Sequence, residues 1–302
     1  FDSFAVGAFA PENWEKSGGK SLVDELKICK TAMTSEKIYA DWQRGLALLP
    51  QKEDSQRLIT SGKVKSPPVI NGEIGPDEYT FKSTGFIDIS RKSLSNWQSD
   101  YYLGYDDKNL YVAVVSPVLD LFRSQVKERD GKVYEDDSIE IFLEPRLSSG
   151  ECFHFIINSR GTLFDEKNHD PAWNIRDFSY VSKINNHGWT VEMAIPFEWL
   201  GVKSPVNDER WRINICRTFP QHGIYTSISP VTAGYHNIGN FIFLKFLNSS
   251  SILNLDSIGN LSLGKLDFSM SMYNAGPTQE TGDLSVNLEI ADKNILKYRK
   301  DF

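Results

Sequence analysis

Short runs of alternating apolar and polar residues recur along the middle of this chain, and no other feature constrains its fold as strongly. In residues 138–144, aliphatic side chains alternate with Glu and Phe. Successive side chains of a β-strand point to opposite faces, so this period of two predicts a half-buried strand. Comparable runs occur at 101–105, 110–114, 153–158, 188–196, 211–215 and 241–246. Many short strands without long helices predict a mainly β protein, an antiparallel β-sandwich of the immunoglobulin or jelly-roll kind.

The composition agrees with a β-rich globular protein and limits its partners. The 302 residues include 7 Trp, 12 Tyr and 18 Phe, with 21 Gly and 13 Pro to form turns. The net charge of −7 argues against nucleic acid, because phosphate binding needs a basic surface. No apolar run reaches the length of a membrane span. The first residue is Phe1 and no signal peptide is visible, so we expect a mature or trimmed product.

Three segments are expected along the chain. Residues 1–66 form an N-terminal extension, partly helical, because apolar residues at positions 22, 23, 26 and 29 share one helical face. Residues 67–247 contain the alternating runs and form the sandwich. Residues 248–302 form a β-rich tail with a strand near 284–290. This tail either begins a further domain or packs against residues 1–66.

The three cysteines do not form a recognisable framework. Cys29, Cys152 and Cys216 lack the spacing of a metal site, and an odd number cannot pair completely within one chain. Cys152 and Cys216 lie in strand-like segments and are expected to be buried free thiols. A disulfide is the alternative.

Five short motifs occur in the order found in one family, at residues 68–74 (PVINGEI), 106–114 (DDKNLYVAV), 135–142 (EDDSIEIF), 188–195 (GWTVEMAI) and 240–244 (NFIFL). By these motifs, residues 67–247 resemble a family 9 carbohydrate-binding module, with a DOMON-like sandwich. The resemblance implies a non-catalytic module of a larger glycan-active protein that is secreted, periplasmic or at the cell surface. The implied partner is an oligosaccharide or polysaccharide, and no cofactor is required.

The resemblance also implies a sugar site. In the family, a sugar lies between two aromatic rings, whose positions correspond to Tyr134 and Tyr235 here. Glu140 corresponds to an acidic sugar contact. Two family positions differ, since a basic residue is replaced by Ile156 and an Asn by Thr232. The fold is therefore expected to carry over fully and the sugar contacts in part.

Two further candidates come from the residues themselves. Trp173 lies in a polar loop, where an exposed indole suggests a ligand contact and core capping is the alternative. Arg217 occupies a polar position on a strand beside Glu140, where it either contacts a ligand or bridges carboxylates.

Metal binding and catalysis are considered from the acidic and histidine residues. The pairs Asp106–Asp107 and Asp136–Asp137 make Ca²⁺ a candidate, with turn capping as the alternative. The carboxylates of 136–144 crowd one strand, whereas glycoside hydrolysis needs two of them across a cleft. The five histidines show no ligand spacing. Catalysis is therefore not expected.

Two other functions remain open. Haem-binding redox domains have a similar sandwich with Met, His or Lys as axial ligands, for which Met193 and His154 are the candidates. A structural spacer or interaction domain is the third possibility.

Overall fold

The computed structural model describes residues 57–186, 188–231, 234–248, 251–259, 267, 269–274, 283–290 and 293–301, the last two ranges as backbone. The predicted helical segments before residue 57 lie outside these residues. The chain divides into two units, and all of the described residues belong to the second, Ser55–Phe302. In the described part of the chain, no helix has the length and apolar character needed to cross a membrane.

Eighteen β-strands make up about half of the described residues. In chain order they are β1 (Leu58–Gly62), β2 (Phe81–Ser83), β3 (Ile87–Asp88), β4 (Ser93–Leu94), β5 (Asp100–Tyr105), β6 (Asn109–Ser116), β7 (Ser138–Glu144), β8 (Phe153–Asn158), β9 (Leu163–Lys167), β10 (Ser179–Asn185), β11 (Gly188–Pro196), β12 (Arg210–Phe219), β13 (Ile224–Ser227), β14 (Ile242–Leu247), β15 (Ser251–Ser257), β16 (Ser269–Asn274), β17 (Asp283–Ile290) and β18 (Lys293–Asp301). Three single 3₁₀ turns, at Val133–Glu135, Pro220–His222 and Ile238–Asn240, accompany them.

Two sheets form the sandwich. The larger has nine strands in the order β4-β3-β13-β12-β7-β8-β9, and β14 adds to β12 and pairs in parallel with β1. The smaller has the order β10-β11-β6-β5-β2 and is antiparallel throughout. Two separate hairpins, β15-β16 and β17-β18, follow. The mainly β sandwich predicted from the alternating runs is confirmed.

The main core lies between the two sheets. The aliphatic face of β7 meets side chains of the smaller sheet there, and Ile139, Val112 and Val191 are each at most 1% exposed. The other face of β7, expected to be solvated, is also buried, since Glu140, Phe142 and Glu144 are at most 4% exposed. Phe142 belongs to a second, smaller cluster with Cys216, Val231, Tyr235 and Phe241 on the outer face of the large sheet. The prediction of a half-buried strand was therefore wrong, because residues of the segment between β13 and β14 cover the second face.

Residues on both sides of the expected segment 67–247 contribute to the sandwich. Strand β1 lies before residue 67 and belongs to the larger sheet. Ile252 on β15 is 3% exposed and packs in the main core, and Asn254 Oδ1 accepts a hydrogen bond from the backbone N–H of Lys82 at 2.9 Å. Cys152 and Cys216 are free, the first partly buried and the second buried. Cys29 lies outside the described residues.

Candidate functional site

A cleft of about 600 Å³ opens on the outer face of the nine-stranded sheet. Its floor is formed by outward-facing residues of three neighbouring strands, Glu140 on β7, Thr218 on β12 and Tyr225 on β13. Loops supply the walls. The remaining lining residues are Ile89, Arg123, Tyr134, Glu135, Pro220, Gln221, Gly234, Tyr235 and His236. The cleft thus combines three tyrosine rings with charged and amide groups.

Tyr134 is held at the cleft by the turn that precedes β7. Its neighbour Val133 is fully buried, whereas Tyr134 itself is 48% exposed. The turn is anchored by Asp136, whose buried carboxylate accepts hydrogen bonds from the backbone N–H groups of Gln125 and Val126 at 2.8–3.0 Å. An aromatic ring presented to water by a fully anchored turn is available for stacking.

Tyr235 lines the same cleft but is largely buried, with 7% of its surface exposed. Its hydroxyl lies 3.2 Å from Thr218 Oγ1 and donates to the carbonyl of Arg217 at 3.3 Å. Burial raises the pKa of Tyr235, so the phenol is neutral. Tyr235 therefore forms a fixed wall, with little ring surface free for a ligand.

Glu140 lies at the base of the cleft and is held by two protein donors. Its Oε1 accepts from the Thr218 hydroxyl at 3.3 Å, and its Oε2 lies 3.0 Å from Nε2 of His154. The other ring nitrogen of His154, Nδ1, lies 3.0 Å from Oε1 of Glu166. His154 thus links two carboxylates behind the cleft.

The hydrogen bonds of His154 determine the protonation of the groups around it. Burial acts to lower the pKa of His154, but the hydrogen bonds and charges of Glu140 and Glu166 outweigh it and raise the pKa. The hydrogen bond from His154 correspondingly lowers the pKa of Glu166. Burial and the nearby His154 lower the pKa of His236, which favours its neutral imidazole.

Tyr225 and Arg123 are two of the cleft residues that sequence reasoning missed. Tyr225 is 42% exposed and pairs across the strands with Thr218 on the cleft floor. Its position between the buried residues Ile224 and Thr226 follows the period of two, so alternation could have indicated it. Arg123 places a guanidinium at the cleft from an irregular loop, where its Nε lies 3.3 Å from Asp136 Oδ1. No pattern in the sequence marks that loop.

Arg217 is placed in the interior and does not line the cleft. It is fully buried, its Nη2 donates to Asp137 Oδ1 at 2.8 Å, and its Nε donates to Ser116 Oγ at 2.8 Å. The guanidinium lies over the ring of Phe219 at 3.8 Å and that of Trp189 at 4.8 Å. Burial lowers the pKa of Arg217 to about 10, which leaves it charged at neutral pH. These contacts favour the alternative of a structural bridge.

Trp173 also lies apart from the cleft. It is partly buried, and its ring centroid is 5.2 Å from that of Phe153, at the margin of the main core. Core capping is therefore the role that its contacts support. Of the two positions that differ from the family, Ile156 on β8 is 2% exposed and pairs directly opposite Glu140 on β7. Thr232 lies outside the described residues.

The acidic pairs considered for Ca²⁺ bind donors of the protein. Asp106 Oδ1 accepts from the backbone N–H groups of Lys108 and Asn109 at 2.7 Å each, and its Oδ2 accepts from the Tyr111 hydroxyl. Asp137 Oδ2 accepts from the N–H of Arg123 at 2.8 Å. This is the capping role given as the alternative.

The haem alternative receives no support from the positions of its two candidate ligands. Met193 on β11 is fully buried in the main core between the sheets. His154 lies on the outer face of β8, where it stacks on Phe142 with ring centroids 3.8 Å apart. The two side chains therefore lie on opposite sides of the large sheet.

The fold and the cleft define a β-sandwich module with an aromatic-lined groove on one sheet. Residues 79–216 match the family described as carbohydrate family 9 binding domain-like. This match confirms the resemblance drawn from the five motifs.

Three solved structures are similar to this chain. A candidate carbohydrate-binding protein from Bacteroides uniformis is 14% identical with a TM-score of 0.48, over 64% of this chain and all of its own. A family 9 carbohydrate-binding module from Caldicellulosiruptor kristjanssonii, in complex with cellotriose, is 19% identical with a TM-score of 0.46, over 64% of this chain and 95% of its own. The complex of a family 9 module from that organism with glucose is 18% identical with a TM-score of 0.45, over 67% and 100%. No curated protein matches the chain.

Proposed function

We propose that this domain binds an oligosaccharide in the cleft on the large sheet, without catalysis of its own. The observation that carries the proposal is the presence of two exposed tyrosine rings, Tyr134 and Tyr225, on one cleft with the carboxylate of Glu140. Aromatic faces stack on the CH groups of a sugar ring, and carboxylates accept hydrogen bonds from its hydroxyls.

The stacking pair in this proposal differs from the one that the resemblance implied. Tyr235 occupies the second family position, but its ring is buried and its hydroxyl is bound to the protein. Tyr225 offers the larger exposed surface. We therefore assign stacking to Tyr134 and Tyr225, and the role of a rigid wall to Tyr235.

Polar groups around these rings are suited to fixing a sugar's orientation. Arg123 supplies the basic side chain that the family position at Ile156 lacks, and Gln221 supplies an amide donor and acceptor. Small polar ligands must replace water at such a site, so the affinity is expected to be modest. The family match over residues 79–216 supports the further proposal that the module serves a larger, secreted glycan-active protein.

Calorimetric titration of the protein with sugars tests the proposal. Glucose and cellotriose are suitable first probes, followed by a glycan array. Tyr134→Ala and Tyr225→Ala are each expected to weaken binding about tenfold, which corresponds to roughly 1.4 kcal/mol. Ile184→Ala is the matched control, since Ile184 is 52% exposed on β10, away from the cleft.

The outcomes separate the proposed functions. Binding that is lost in both tyrosine variants and retained in the control supports the cleft. Unchanged affinity in both variants overturns it. Absence of binding across the array favours a spacer or interaction domain instead.

A further inference from the structure

The structure brings together three histidines that are far apart in the sequence. His154 comes from β8, His169 from the turn after β9, and His236 from the loop before β14. The ring centroids of His236 and His154 are 5.2 Å apart, and those of His236 and His169 are 5.0 Å apart. Glu166 lies among them, with its Oε1 3.0 Å from His154 Nδ1 and 3.6 Å from His169 Nδ1.

We propose that this cluster is a site for a divalent transition-metal ion, with Zn²⁺ as the reference ion. His154, Glu166 and His236 are its core ligands, because one donor atom from each lies within 4.8 Å of the others. His169 is positioned to complete a set of four. Imidazole nitrogens with one carboxylate suit Zn²⁺, Cu²⁺ or Ni²⁺, whereas Ca²⁺ and Mg²⁺ require oxygen ligands.

The space between these side chains has the size that one ion needs. A second, narrow cavity of about 10 Å³ is lined by His154, Glu166, His169 and His236. That volume corresponds to roughly one water molecule. Two ligands of a tetrahedral Zn²⁺ lie about 3.3 Å apart, given metal–ligand bonds of about 2.0–2.1 Å. His154 and Glu166 already have nearly this spacing, and a shift of His236 by at most about 1.5 Å closes the set.

The surroundings of His154 match those of a metal-binding histidine. Its Nδ1 faces Glu166, which lines the cavity, and its Nε2 lies 3.0 Å from Oε2 of Glu140. Metal-bound histidines commonly donate their second ring N–H to a carboxylate, which fixes the ring and its tautomer. Phe142, stacked on His154 at 3.8 Å, holds the ring from one face. Binding of the ion replaces the proton between Nδ1 and Glu166, and that proton is released to solvent.

The turn that carries His169 is also held in place. Asn168 and His169 both have positive φ angles, 53° and 63°, a conformation that costs energy for residues other than Gly. Two hydrogen bonds with Cys152 fix the turn, from the Cys152 N–H to Asn168 Oδ1 at 2.7 Å and from the Asn168 N–H to the Cys152 carbonyl at 2.9 Å. His169 is thereby held beside Glu166.

Isothermal titration calorimetry of the chelator-treated protein with Zn²⁺, in the absence of sugar, tests the proposal. One equivalent is expected to bind. His236→Ala and His169→Ala alter exposed side chains, so both variants are expected to fold, as thermal unfolding verifies. His236→Ala is expected to weaken Zn²⁺ binding at least about 100-fold. Loss of a residue that only hydrogen-bonds to a metal ligand typically weakens metal binding about 10–100-fold. His222→Ala is the matched control, because His222 contacts Trp97 and does not line this cavity.

Cu²⁺ provides a second readout through electron paramagnetic resonance, in which nitrogen hyperfine couplings report each bound imidazole. Loss of one coupled nitrogen in His236→Ala supports the assignment. The proposal is overturned if the native protein does not bind Zn²⁺, if Ca²⁺ binds there as tightly, or if His236→Ala and His169→Ala both retain native affinity. These results are independent of sugar binding, so failure of the metal site and failure of the sugar site are distinguishable.

Discussion

At the scale of single residues, the side chains around the cleft divide into those that can meet a ligand and those that hold the site. Tyr134 and Tyr225 are nearly half exposed. Tyr235 and Arg217 are buried, and the protein already uses their polar groups. A buried guanidinium beside a buried carboxylate contributes to structure, since its donors are not free to bind a sugar hydroxyl.

Arg217→Met is expected to destabilise the protein by about 3–5 kcal/mol, because it leaves the Asp137 carboxylate buried without its countercharge. The free energy of unfolding in urea measures this effect. The double variant Arg217→Met with Asp137→Asn is expected to lose less than the two single variants together, since no unpaired charge remains. A variant of native stability that has lost sugar binding would instead assign Arg217 to the ligand.

At the scale of secondary-structure elements, a buried carboxylate fastens the segment before β2 to the smaller sheet. Glu192 on β11 accepts hydrogen bonds from the N–H groups of Asn71 and Gly72, at 3.1 and 2.5 Å, and from the Tyr79 hydroxyl at 2.8 Å. Burial raises the pKa of Glu192, against these three hydrogen bonds, which lower it. The effect of burial is the larger one.

This balance predicts a pH dependence of stability. Because the pKa of Glu192 is higher in the folded than in the unfolded state, the folded protein binds the proton more tightly. The free energy of unfolding of the native protein, relative to that of Glu192→Gln, should therefore fall as the pH rises from about 4.5 through the raised pKa. The fall should be at most about 1.4 kcal/mol per pH unit. Above that pKa the difference should be constant. Urea unfolding of both proteins between pH 4 and 8 measures it, and a difference that grows in the opposite direction would show that the hydrogen bonds dominate.

The strands that contain alternating runs were predictable from the sequence. The run 153–158 coincides with β8, and the run 188–196 coincides with β11. The hairpin at 101–114 is formed by β5 and β6, with Asp106 capping the turn between them. These features depend on local spacing and turn chemistry, which a short window of sequence contains.

At the scale of the whole molecule, residues beyond the predicted boundary at 247 help to close the sandwich. Ile252 packs in the main core, against Gly62. A β-carbon added to Gly62 would lie only 2.4 Å from Cδ1 of Ile252. The next residue, Leu253, is 45% exposed. Adjacent positions on β15 thus face the core and the solvent.

Ile252→Ala is expected to destabilise the protein by about 2–5 kcal/mol through lost burial and a cavity, whereas Leu253→Ala should change stability by less than about 0.5 kcal/mol. Thermal or urea unfolding of the two variants compares them directly. If β15 were part of an independent module, both substitutions would leave the main unfolding transition unchanged.

The sequence alone predicted the strands that contain alternating runs, such as β7, β8 and β11, and the family that residues 79–216 match, because alternation and motifs are local properties. The family resemblance also selected Tyr134, just before β7, and Glu140, on β7, and both residues line the cleft. Only the tertiary structure decided that the outer face of β7 is buried, that Tyr225 and Arg123 join the cleft, and that Arg217 faces inward. It also brought His154, His169 and His236 together from three separate segments. Such neighbours depend on which strands pair and how loops cover a sheet, and those long-range contacts leave no periodic pattern in one sequence.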